Sequence, residues 1–135
     1  MRVPAVGYSF ATMDAVLAEA ERSAAVTHNH PEGVKGAQAT AAAVFMARCG
    51  ETKRGMKQRL EATFGYDLSP ALDDLRPACR FDESCQRTVP AALIAFLESH
   101  DYEGAVRKAI SLGGDADTLA ASPARSLMPI MVAFP

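Results

Sequence analysis

The run Gly113-Gly114-Asp115-Ala116-Asp117-Thr118 sets two carboxylates and a hydroxyl side by side, directly after a pair of glycines. Hard oxygen donors this close together suit Mg²⁺, Mn²⁺ or Ca²⁺. The same residues also read as a glycine helix stop followed by acidic N-cap residues, which requires no ion. A calcium EF-hand loop is excluded, because Leu119 to Arg125 holds neither the glycine nor the glutamate it would need. A second cluster, Thr27-His28-Asn29-His30-Pro31-Glu32-Gly33, lies between two helical stretches, where polar side chains can face a cleft. Its two histidines offer little to zinc: alternate side chains in a turn diverge, and no further soft ligand stands at a useful spacing. A structural hydrogen bond for His28 and dipole complementation by Glu32 are the plainer readings. No nucleophile elbow, P-loop or dinucleotide fingerprint is present, and Gly33-x-x-Gly36 alone counts for little.

The elements that must hold these clusters are helical. Alanine supplies 26 of the 135 residues, and period-two runs of β-branched residues are almost absent, so propensity and pattern predict an all-α chain. One helix is expected over Met13–Val26, with Val16, Leu17, Ala20 and Ala24 on its apolar side. A second begins at Pro31, where a missing amide hydrogen is harmless, and carries Val34, Ala37, Ala41, Val44 and Phe45 at helical spacing. Its many glycines and alanines make it thin, which places it at the centre of a bundle. A third covers Thr52–Phe64, burying Met56, Leu60 and Phe64 and closing on Gly65. Ser69 is expected to cap a short turn that Pro77 stops, with Ala78 to Arg87 as loop. Thr88 and Pro90 then mark a helix start that buries Ala92, Leu93, Phe96 and Leu97. Asp101 caps the next helix, which buries Tyr102, Val106, Ala109 and Ile110 and ends at Gly113-Gly114, after which Asp115-Ala116-Asp117-Thr118 is expected to open a further helix.

Composition narrows the classes of function. Fourteen Lys+Arg against 16 Asp+Glu leave a formal charge of −2, without the basic excess that tracking a phosphate backbone needs, so nucleic acid is not an expected partner. Apolar runs such as Ala41 to Ala47 are far short of the roughly 20 residues a bilayer crossing requires. Asp14 and Glu19 interrupt any signal-peptide reading, and the expected location is cytoplasmic. Cys49, Cys79 and Cys85 are an odd number without CxxC spacing, which predicts reduced, buried thiols rather than a disulfide framework.

Taken together, THNHPEGVKGAQA (27–39) and SLGGDADTLAA (111–121), with FGYDLS (64–69), RFDESCQ (80–86) and VPAALIAFLES (89–99) between them in that order, resemble the ADP-ribosylglycohydrolase family. The resemblance implies an all-helical orthogonal bundle, present here in part, that binds a pair of Mg²⁺ or Mn²⁺ ions. It implies metal ligation by Asp115, Asp117 and Thr118, catalytic roles for Asp115 and Asp117, and a substrate cleft lined by His28, Asn29, Glu32 and Gln38. The implied reaction is hydrolysis of the glycosidic bond at C1 of ribose in an ADP-ribosyl group, on a protein or a small molecule. The metals orient a water and hold the ribose hydroxyls, and carboxylates take its proton, with no covalent enzyme intermediate.

The chain also departs from the family pattern. The Thr-Asp-Asp-Thr motif that supplies the family's other metal ligands is missing, and Asp73-Asp74, set among leucines, does not replace it. Met1-Arg2-Val3-Pro4 resembles the end of a family segment, so the expected organisation is a C-terminal part over 1–121 followed by an atypical tail over 122–135. A one-base shift of reading frame near Ala121, with permitted codons, turns the tail into IAGSIADAYYGGVP, which resembles the family's usual continuation. Such a chain is expected to bind metal weakly, to be inactive alone and to associate with itself or with a separately encoded N-terminal half. The alternative is a non-catalytic helical interaction module.

Overall fold

The computed structural model describes residues 4–27, 29–79 and 85–111. Among them are seven α-helices and no strand: α1 (Pro4–Ser9), α2 (Met13–Ala25), α3 (Pro31–Arg48), α4 (Lys53–Phe64), α5 (Leu72–Cys79), α6 (Cys85–Leu97) and α7 (Tyr102–Ser111). The expected all-α class is therefore what forms. Their starts follow local chemistry. Thr12 and Thr52 accept hydrogen bonds from the backbone amides of Ala15 (3.3 Å) and Gly55 (3.2 Å), and Asp101 accepts one from Gly104 (2.6 Å). Gly65, at φ 68°, ends α4 in the left-handed conformation.

α3 is the axle of the bundle. It packs against α1, α2, α4 and α6, and ten of its 18 residues are buried. A helix covered on every side needs no polar stripe, and alanines keep it narrow enough for its neighbours to reach the backbone. One side meets Val16, Ala20 and Ala24 of α2 through Ala37 and Ala41. The other carries Ala39, Ala43 and Met46 into the larger core with Met56, Leu60, Leu68, Leu72, Leu93 and Phe96. Thr40, buried in this helix, donates its hydroxyl hydrogen to the carbonyl of Gly36 at 2.9 Å. Arg48 ties the helix end to the α1–α2 connection, donating to the carbonyls of Tyr8 (2.5 Å) and Phe10 (2.7 Å).

Several local expectations are corrected. α1 has no apolar period to announce it; it exists because Gly7 lets its backbone lie directly on α3. α5 does not stop at Pro77 but runs two residues further to Cys79, since the pyrrolidine φ is helical and a single intrahelical bond is forgone. Glu98 rather than Ser69 receives the amide of Leu72 at the start of α5 (3.2 Å), while the Ser69 amide is taken by Asp67 (3.0 Å). α6 begins at Cys85, so Ala78–Cys79 and Cys85–Arg87 are helical rather than loop, and Pro90 lies inside the helix. Its buried surface is wider than expected, from Ala91 through Phe96, because α3, α5 and α7 all pack on it. In α7 Ala105 is buried, whereas Ile110, expected to be buried, is 51% exposed. Cys49 is exposed, not buried, because it sits beyond the last turn of α3 where the chain leaves the core.

A Cβ on Gly7 would lie 2.6 Å from Val44 Cβ and 2.8 Å from the Ala41 carbonyl oxygen. Gly7→Ala should therefore push α1 off α3 and cost about 1–3 kcal/mol in urea unfolding. Adding Val44→Ala should recover little, since position 44 keeps the Cβ that would lie 2.6 Å away and the Ala41 carbonyl remains in place.

Candidate functional site

The turn from Thr27 into α3 is built by its own residues. His30 is the N-cap: its Nδ1 accepts the backbone hydrogen of Glu32 at 3.2 Å, and Pro31 occupies the first helical position. This histidine therefore does a capping job that explains it without zinc. Glu32 stands in the first turn, where a carboxylate complements the helix dipole. One of its oxygens, Oε2, is buried and has no hydrogen-bond donor among the described residues; the ammonium of Lys35 is 4.0 Å away. Lys35 in turn lies over the ring of Tyr66, 4.6 Å from its centroid.

Tyr66 explains the FGYDLS motif as a positioning device. Phe64 ends α4, Gly65 reverses the chain, and Tyr66 stacks against Phe64 with centroids 6.2 Å apart while reaching the α3 start through Lys35. Leu68 is buried, and its amide is taken by Glu61 Oε1 at 3.1 Å. The motif thus fixes one end of α3 against the end of α4. Sequence reasoning passed over Lys35 and Tyr66; the Glu32–Lys35 spacing of three was the available signal.

Of the residues proposed to contact substrate, Asn29 is exposed, Glu32 is half-buried, and Gln38 is half-buried with its Nε2 donating to the carbonyl of Leu17 at 3.2 Å. Six helical positions separate Glu32 from Gln38, which turns them about 120° apart and sets them about 9 Å along the axis. They line different sides of α3, with Gln38 on the side that faces α2. His28, Asp115, Asp117 and Thr118 lie outside the described residues. Among the described residues, no three His, Cys, Asp or Glu side chains gather where they could hold a metal ion. No described helix is long and apolar enough to cross a membrane.

The described residues thus form an all-α bundle whose central helix carries Glu32 in its first turn. The family model for ADP-ribosylglycohydrolase matches residues 1–123, and the chain belongs to that family. No curated protein and no solved structure matches it.

The capping role of His30 has a direct check. His30→Ala should lower stability by about 1 kcal/mol in chemical unfolding, and His30→Asn should retain it, because an asparagine oxygen can accept the same amide hydrogen.

Proposed function

We propose that the chain provides one wall of a glycohydrolase site that cleaves the bond at C1 of ribose in ADP-ribosyl groups on proteins or small molecules. The observation that carries the reading is the Glu32 oxygen, buried without a hydrogen-bond donor among the described residues, at the head of the central helix in a chain of this family. An acceptor kept dry in that way suits a ribose hydroxyl or a cation.

The donor set of Asp115, Asp117 and Thr118 is all oxygen, the chemistry a hard divalent cation takes. These residues would hold Mg²⁺ or Mn²⁺, and Glu32 adds a carboxylate of the same kind. When bound, such ions would acidify a water and grip the ribose diol. Either Asp115 or Asp117 accepts the proton of the attacking water, and the carboxylates stabilise positive charge developing at the anomeric carbon. His28 and Asn29 offer hydrogen bonds from the turn. Gln38, turned toward α2 with its Nε2 committed to Leu17, stands apart from this set.

We further propose that residues 1–121 are the part that folds as this family does, and that residues 122–135 take no part in the site. The family match ends at residue 123, which supports that division. A gene sequence unable to encode the frame-shifted continuation would remove the explanation for the tail.

The isolated chain is expected to release ADP-ribose at background rate from an ADP-ribosylated protein, with Mg²⁺ or Mn²⁺ present. Co-expression with a segment carrying the Thr-Asp-Asp-Thr motif should restore metal-dependent release. Asp117→Ala should then lower it by about 10²- to 10⁴-fold. A complemented pair that binds and stays at background would instead favour the non-catalytic interaction module.

A further inference from the structure

A cleft of about 270 Å³ lies between α4, the connection from Tyr66 to Ala71, and α6. None of the residues at the head of α3 lines it. Lys53, Arg54 and Lys57 form one wall, and Leu68, Ile94 and Leu97 form the apolar opposite side. Lys53 and Lys57 are four positions apart and share a helix face, with Arg54 three positions before Lys57. The one carboxylate in the lining, Glu98, is already engaged: Oε1 accepts the Leu72 amide, and Oε2 is 3.9 Å from Lys108 outside the cleft. Lys53 has a structural task, donating to the carbonyl of Ser99 beyond the end of α6. Arg54 and Lys57 have no carboxylate at ion-pair distance among the described residues, and they stand in the first two turns of α4, where the helix dipole disfavours cations. Burial holds the Lys53 ammonium below the ordinary lysine range, and the charge of Lys108 adds to the effect.

We propose that this cleft binds a small phosphate monoester, with Arg54 and Lys57 gripping the phosphate and the apolar side taking the organic group. Three cations against one shared carboxylate match a dianion better than a monoanion, and the guanidinium fork suits two phosphate oxygens. The volume is just below the ~300–1,000 Å³ of typical ligand pockets, which limits the ligand to a small ester. The site is separate from the glycohydrolase reading and survives or fails on its own.

The test is calorimetric titration of the full chain with phenyl phosphate, and separately with inorganic phosphate, at constant ionic strength. Saturable binding of phenyl phosphate, tighter than that of inorganic phosphate, is the expected result. The double variant R54Q/K57Q should weaken it at least about tenfold, whereas R59Q, on the same helix but outside the cleft, should leave it unchanged. Arg54 is exposed and Lys57 half-buried, so the double variant retains the core, which its unchanged thermal unfolding would confirm. Absence of saturable binding, binding that persists in R54Q/K57Q, or an equal loss in R59Q would each overturn the proposal. Equal affinity for the two phosphates would overturn its assignment to an ester.

Discussion

Close approach to the backbone of α3 is the constraint on which the rest of the structure depends. Four helices share one narrow axle, and the alanines at 37, 39, 41, 42, 43 and 47 are buried at their contacts. Each alanine removes little area from water, so the stability of the arrangement comes from density rather than from large side chains. Gly7 shows how little slack there is, since even one methyl group at that point would overlap Val44. The head of α3, which carries Asn29 to Glu32, is positioned by that same packing.

The ends of the helices are secured by long cations reaching carbonyls. Arg48 serves the α1–α2 connection, Lys53 serves Ser99, and Lys108 donates to the Glu98 carbonyl at 2.8 Å. Such bonds satisfy acceptors that a helix C-terminus leaves open and place positive charge where the dipole is negative. They span 38 to 46 residues in the case of Arg48 and Lys53, so they join elements that have no sequence relation. Arg54 and Lys57 lie beside this network without belonging to it, which is what sets their cleft apart from ordinary surface charge.

Motifs that mark the family divide into two physical kinds. FGYDLS is a brace: a left-handed glycine, a stacked tyrosine and a capped amide hold α4 against the start of α3. The PEGVKGAQA stretch is both frame and chemistry, since its alanines pack while Glu32 keeps an acceptor away from water. Family membership ties these to a glycohydrolase ancestry.

The sequence by itself determined the helical class, the spans of α2, α3 and α4, and the central place of α3, because these rest on local periodicity, caps and side-chain size. Gly65 and Asp101 act through atoms at most a turn away, and their roles were legible for that reason. Only the tertiary structure decided the rest. α1 is held by contact with a helix more than thirty residues later in the chain, so no local pattern could announce it. The breadth of the α6 core and the exposure of Ile110 depend on how many neighbours surround each helix, which periodicity does not encode. The pairing of Lys35 with Tyr66, and the gathering of α4 cations opposite Leu68 and Ile94, join residues whose proximity arises only once the helices have packed.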